Sequence, residues 1–283
     1  QVMLHQDSGS RGRPVNPGKS PRTILGGTNT KEYPTVLAAR REMSSWHSLH
    51  LEPSSLRAPD PFGAETHVSE RGAHVAATLR RLAGSPDNGQ VLAEAANRLA
   101  ELVPDVEELH VDEDMARQQL TVQARMKGIQ QWLGPRALSD GTLRFLALVT
   151  MQMDAEGGRL LCMEEPENGI HPESIPALVR LLRDYAADPE IAVGDDNPVR
   201  QVVVNTHSPD ILKQLELSEV VFVESVNGPD GSAAVVAGVR GGWREMEHQV
   251  TLERLREVLG GAPYDAKLEE ALQLRLPLPG TER

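Results

Sequence analysis

The chain has 283 residues, 39% of them apolar and 3% aromatic, a single cysteine and a formal charge of −12 at pH 7. That length supports one sizeable core with an appended subdomain, and one cysteine excludes a disulfide framework and points to a reducing, cytoplasmic setting. The acidic balance excludes a surface that is basic throughout, though not one local basic groove, and no apolar stretch approaches a membrane span and no signal peptide opens the chain.

Residues 1–45 form a first segment, a remnant of an upstream lobe. Its first twenty residues are rich in Gly, Ser, Pro and Arg, as in a loop or hairpin tip, and a helix-like piece runs from Pro34 to Met43. Gln1 is an unusual first residue, because Met is seldom removed before so large a side chain, and residues upstream of it are expected. Residues 46–137 hold a strand at Trp46 to Leu51, a loop from Pro53 to Gly63 and helical patterns at His74 to Leu82 and Gln90 to Leu102. In the second pattern Leu92, Ala95, Ala96, Leu99 and Leu102 share one face. Strands at Val106 to Val111 and Gln119 to Ala124 complete this helical subdomain.

Residues 138–240 alternate strictly. Helix Asp140 to Met153 is followed by strand Arg159 to Met163, helix Glu173 to Tyr185, strand Gln201 to Asn205, helix Pro209 to Leu215 and strand Val220 to Val223. Short connections between alternating elements predict an α/β fold, a parallel sheet covered by helices. Residues 241–283 read as a helical tail with a Pro/Leu-rich end, and no internal repeat is present.

Three segments carry chemistry. In Leu138-Ser139-Asp140-Gly141-Thr142-Leu143, Ser139 is placed to cap a helix whose core face is Leu143, Leu146, Thr150 and Met153. Gly141 would also let backbone amides approach a phosphate at that helix start. The run Leu160-Leu161-Cys162-Met163 is too short for a buried helix and reads as a strand covered on both faces. It ends at Glu164 and Glu165, where ligands gather in such sheets. Glu164 would there hold Mg²⁺, directly or through a water. Glu165, on the other side of the pleat, would orient and deprotonate an attacking water. The plainer alternative is a solvated acidic turn before a helix. The third segment, Val202 to Pro209, ends its strand at His207, either a structural histidine or a partner for a phosphate or water.

In that order and spacing, Leu-Ser-Asp-Gly-Thr-Leu-Arg-Phe, Cys-Met-Glu-Glu-Pro-Glu-Asn-Gly-Ile-His-Pro and Asn-Thr-His-Ser-Pro resemble the AAA-type ATPases related to RecF, SMC proteins and ABC transporters. The resemblance runs from about Ser45 to Val239 and takes in Leu56-Arg57-Ala58-Pro59. It implies the carboxy-terminal part of a P-loop ATPase head of the ABC/RecF type, using ATP and Mg²⁺. It further implies that Ser139, Asp140 and Gly141 belong to a signature loop reaching the γ-phosphate held by the opposite subunit. Glu164 takes the Walker B metal position, Glu165 the catalytic base, Asn168 to His171 the D-loop, and His207 the switch histidine. Glu at 164, where ABC transporters carry Asp, is the form shared with the RecF-like group.

The phosphate-binding loop is what the sequence lacks. It requires Gly, four residues and Gly-Lys-Ser/Thr between a strand and a helix. The nearest segment, Gly12 to Ser20, has five intervening residues, two of them proline, and Pro21 follows. The expectation is therefore a homodimer, or a complementing ATPase segment that carries Walker A, with DNA or a defence effector as further partner and no membrane association. Two alternatives stay open: a non-hydrolysing nucleotide-sensing or assembly module, and the ATPase part of an overcoming-lysogenization-defect-type nuclease. For the latter, Val220 to Glu224 resembles an opening nuclease strand, but only 59 residues follow and none form an Asp-x-Asp pair.

Overall fold

The computed structural model describes residues 2–4, 13–15, 23–27, 33–84, 89–194, 197–216, 219–228 and 231–238. The chain divides into two compact units, Gln1–Glu164 with Leu181–Asn205, and Glu165–Arg180 with Thr206–Arg283. The predicted helical tail at 241–283 lies outside the described residues.

In the first unit, short strands β1 (Val2–Leu4) and β2 (Arg13–Val15) pair antiparallel, and α1 (Ile24–Gly27) precedes α2 (Pro34–Ser44). Gly12 and residues 16–20 lie outside the described residues, but the middle of that loop-like segment is the extended strand β2, where a phosphate loop would have to curl. After β3 (Trp46–Leu49), the predicted loop from Pro53 to Gly63 is in fact ordered as α3 (Pro53–Arg57) and a two-residue strand, β4 (Asp60–Pro61). Pro53 sits in the first turn of α3, where its missing N–H costs nothing.

Helix α4 (Val75–Ala83) starts without a cap of its own, after His74 in the left-handed region at φ 72°. Asp60, 4% exposed, does the capping from a distance. Its carboxylate accepts from the His74 and Ala77 amides at 3.0 Å each, satisfying donors that every helix start leaves free. Helix α5 (Gly89–Leu102) buries Ala95, Ala96, Leu99 and Leu102, four of the five residues that its periodicity assigns to one face. Strands β5 (Val106–Asp114) and β6 (Gln119–Met126) pair antiparallel, and with β4 they form a sheet in the order β4-β6-β5. Leu109, Leu120, Val122 and Ala124 point inward and are buried.

Helix α6 (Asp140–Met153) is the hub of this core, with nine residues buried from Thr142 to Met151. Its far end is tied down by polar groups. Arg200 donates from Nη1 to the Gln152 carbonyl at 3.0 Å and from Nη2 to the Asp154 carbonyl. The buried Asp154 carboxylate meets Arg81 at 2.5 Å and His67 Nδ1 at 2.7 Å. The Arg200 guanidinium also lies 4.7 Å over the ring of Tyr185, whose hydroxyl donates to the Gly158 carbonyl at 2.7 Å.

The second sheet is parallel, in the order β3-β7-β8, with β7 spanning Leu160–Glu164 and β8 Gln201–Asn205. The register aligns His47, Leu161 and Val202, then Ser48, Cys162 and Val203, then Leu49, Met163 and Val204, and pairs Glu164 with Asn205. Neighbours in a parallel register share a face, and faces alternate along each strand. The face carrying Leu49, Leu161 and Met163 is buried. The opposite face is not: Trp46 is 46% and Val203 56% exposed, and Cys162 is half-buried. On β7 itself Leu160 and Cys162 are half-buried, so among the described residues the expected cover on both sides is complete on one face and partial on the other.

In the second unit, residues 166–169 form a turn and Pro172–Ser174 a short 3-10 turn, which leads into α7 (Ile175–Tyr185), assigned here as far as Arg180. Ile175, Val179 and Ile211 form a small core with Leu215 packed on it. Helix α8 (Pro209–Leu212) stops three residues short of the predicted Leu215. Strand β9 (Val221–Gly228) runs five residues past the predicted Val223, because it pairs antiparallel with β10 (Gly231–Gly238). Among the described residues no helix is long and apolar enough to cross a membrane.

Candidate functional site

The signature turn is built by its own cap and by a distant arginine. Ser139, in extended conformation, accepts the Thr142 amide on Oγ at 3.1 Å and shares a 2.8 Å hydrogen bond with Thr142 Oγ1. Leu138 beside it is buried, while Ser139 and Asp140 are exposed. Arg57, at the end of α3, donates to the Leu138 carbonyl at 3.0 Å and pairs with the Asp140 carboxylate at 2.5 Å. One guanidinium thus holds the turn on both sides of Ser139, while the Thr142 and Leu143 amides are taken by the Ser139 hydroxyl and carbonyl. Arg144 follows one turn later. Its Nε is buried without a hydrogen-bond partner among the described residues, and burial pushes its guanidinium below the usual arginine value while the Asp140 charge opposes that. Arginine remains charged through such a shift, so the helix start keeps a cation beside it.

Glu164 is the last residue of β7, exposed and level with Asn205 at the end of β8. It stands in the same alternation as Cys162 and Val203, on the bare face of the sheet. Glu165 does not continue the pleat. Its φ of 43° puts it in the left-handed region, so the strand stops at Glu164, and the predicted placement of Glu165 on the opposite side of the pleat is overturned. Its carboxylate accepts from Asn168 Nδ2 at 3.4 Å, and its carbonyl from the Asn168 amide at 3.0 Å. Gly169, at φ 78°, lets the turn close. His171 is 73% exposed and accepts the Glu173 amide on Nδ1 at 3.4 Å, which makes it the cap of the Pro172–Ser174 turn.

His207 is exposed, in the connection between β8 and α8. Its neighbour Thr206 donates from Oγ1 to Glu167 Oε1 at 2.6 Å and accepts the Ser208 amide at 2.9 Å. Of the predicted site residues, Ser139, Asp140, Gly141 and Glu164 belong to the first unit, and Glu165, Asn168, His171 and His207 to the second. Among the described residues no three His, Cys, Asp or Glu side chains gather as a metal cage. A single exposed carboxylate beside an amide side chain suits Mg²⁺, which keeps most of its waters and takes few protein ligands.

Arg57, Glu167 and Thr206 received no role from the sequence although each stands inside a quoted motif. The signal was their membership in those motifs; their partners, 81 residues away for Arg57 and 39 for Glu167, were not readable.

No curated protein matches the chain in sequence. Among solved structures, it is similar to an SmcHead bound to the C-winged helix domain of ScpA, with 12% identity over 59% of this chain and 50% of that chain and a TM-score of 0.39. It is also similar to the Smc head domain with an extended coiled coil bound to the C-terminal domain of ScpA derived from Pyrococcus furiosus, with 9% identity over 80% of this chain and 46% of that chain and a TM-score of 0.35. The chain spans about half the length of these structures. The sequence of residues 34–213 matches the family described as "AAA domain, putative AbiEii toxin, Type IV TA system". That span, well over half of the 283 residues, holds the capped turn, the paired glutamates and the strand leading to His207, and the chain belongs to this AAA-domain family of ATPases.

Proposed function

We propose that the chain supplies the signature, metal and base elements of an ATPase whose Mg-ATP is held between two protomers, the phosphate loop coming from another segment or subunit. The observation that carries the reading is the apolar face of the β3-β7-β8 sheet, exposed at Trp46 and Val203 among the described residues, which also bears Glu164. Parallel sheets are normally covered on both faces. A phosphate loop packed on this face would lie against Glu164.

Mg-ATP, when bound, supplies the scissile phosphoanhydride and a cation that neutralises charge on the transferred phosphoryl oxygens. Glu164 would hold the cation's water shell. Glu165 would take a proton from the attacking water on Oε1, its other oxygen being tied to Asn168. The exposed start of α6, at Ser139 to Gly141, would receive a phosphate on its amides, held in shape by Arg57. His207 would contact a phosphate or its water, and Asn168 and His171 would serve as residues of the D-loop. DNA or a defence effector is the partner class this reading carries forward, and the toxin wording of the family description is in keeping with the second.

The test is Glu165→Gln in a complex reconstituted with a phosphate-loop-bearing partner. ATP binding should persist while turnover falls on the order of 10²-fold or more, the loss expected for a positioned base. Turnover near the wild-type rate would overturn the base assignment and favour a non-hydrolysing nucleotide-sensing module.

A further inference from the structure

The turn from Glu165 to Gly169 makes two side-chain attachments, in different directions. Asn168 reaches back to the Glu165 carboxylate, and Glu167 reaches to Thr206. The second attachment serves no purpose in the reading above.

We infer that Glu167 is a positioning residue for His207, acting through the hydroxyl of Thr206; the inference rests on the ATPase reading, in which His207 faces the phosphate. A threonine hydroxyl has one proton, and an ionised carboxylate can only accept. The proton of Thr206 Oγ1 therefore points to Glu167 Oε1 at 2.6 Å, and its lone pairs are left for the Ser208 amide at 2.9 Å. The relay runs from the Ser208 N–H to the Thr206 hydroxyl and on to Glu167. Its two links grip the residues immediately before and after His207. The His207 ring is exposed and makes no hydrogen bond among the described residues, so this relay acts on it only through the backbone from which the side chain projects.

The Glu167 end is itself fixed. The Ile170 amide donates to the Glu167 carbonyl at 2.9 Å, and Gly169 closes the turn in the left-handed region. Pro166, just before it, is buried. The other carboxylate oxygen, Oε2, is buried with no hydrogen-bond partner among the described residues. A buried acceptor left unpaired is costly, and an acid with no task would turn that oxygen to water. Glu167 keeps the costly pose and with it a short, charge-assisted bond of the strong class.

The test uses the reconstituted complex turning over ATP. Thr206→Val should lower kcat by about 10-fold with KM changed less than about twofold, the loss of one charge-assisted hydrogen bond expressed as rate. Thr206→Ser keeps the hydroxyl and should recover kcat to within about twofold, and Glu167→Gln, an uncharged acceptor of equal size, should fall between the two. In a His207→Ala background, Thr206→Val should cause no further loss, because nothing remains to be positioned. A full additional 10-fold loss in that background would overturn the inference and make the relay merely structural. Severe damage from His207→Ala with Thr206→Val and Glu167→Gln at the wild-type rate would overturn it while leaving the ATPase reading standing. If His207→Ala itself were silent, the assignment of His207 would fall first and the inference with it.

Discussion

The two three-stranded sheets of the first unit differ most in what they show to solvent. The antiparallel sheet β4-β6-β5 turns Glu108, His110, Asp112, Gln123 and Arg125 outward, with Arg125 paired to Glu108 and lying 5.4 Å over the Trp132 ring. Such a sheet can face water on one side at no cost. The parallel sheet β3-β7-β8 turns Trp46, Leu160, Cys162 and Val203 outward, with Ser48 and Gln201 beside them and Glu164 and Asn205 at the strand ends as the polar residues of that face. One surface is finished; the other has the composition of an interior and the exposure of an exterior. Exposed apolar patches of this kind mark interaction sites.

The largest expected effect tests that contrast directly. Leu99, fully buried between α5 and its neighbours, should cost about 2–5 kcal/mol of stability when replaced by Ala, whereas Val203→Ala on the bare face should stay within about 0.5 kcal/mol in urea melts. Equal losses would mean that the two faces do not differ.

Charge placed on the bare face should then matter only when something covers it. Val203→Asp should weaken association with the phosphate-loop-bearing partner by on the order of 10-fold, about 1.4 kcal/mol, without lowering the stability of the chain alone. Cys162, the sole cysteine, is a built-in reporter on the same face. Its labelling by a maleimide should slow when the partner binds, and unchanged labelling would place the partner elsewhere.

A smaller effect is expected at the signature turn. Arg57 and Asp140 are partly exposed, and a double-mutant cycle with Ala at each should give a coupling of about 0.5–1 kcal/mol. Coupling near zero would release the turn from α3.

The smallest is an alkaline limb. Burial, with the Asp154 charge adding and the Arg200 charge opposing, raises the Tyr185 hydroxyl above its usual 10.0. With the folded value above the unfolded one, its contribution is complete below about pH 10 and is lost as pH rises toward the folded value, because the unfolded chain gives up the proton first. Tyr185→Phe should flatten that limb of the stability profile, and an unchanged slope would show that another group produces it.

Much of this was legible along the chain. Helix Asp140–Met153 and strand Gln201–Asn205 have the predicted bounds, since Ser139 announces the start of one and the Val triplet is the body of the other. What local pattern could not show was anything depending on a distant partner. Pro53, Ser54 and Ser55 look like a loop, yet α3 forms there and delivers Arg57 to a carbonyl 81 residues on. Asp60 gives no hint that it caps a helix starting at Val75. Glu165 fits a strand continuation by its place in the sequence, and its left-handed backbone is visible only in the fold. The apolar character of β7 was readable, but the exposure of Trp46 and Val203 beside it was not.

The attachment of Arg200 has a mechanical consequence. Helix α6 is 14 residues, about 21 Å long at 1.5 Å per residue, with Ser139 at one end and the carbonyls gripped by Arg200 at the other. The residue after Arg200 opens β8, which leads in the chain to Thr206 and His207. Arg200 thereby ties the carboxyl end of α6 to the root of β8, so Arg200→Ala should loosen both attachments at once.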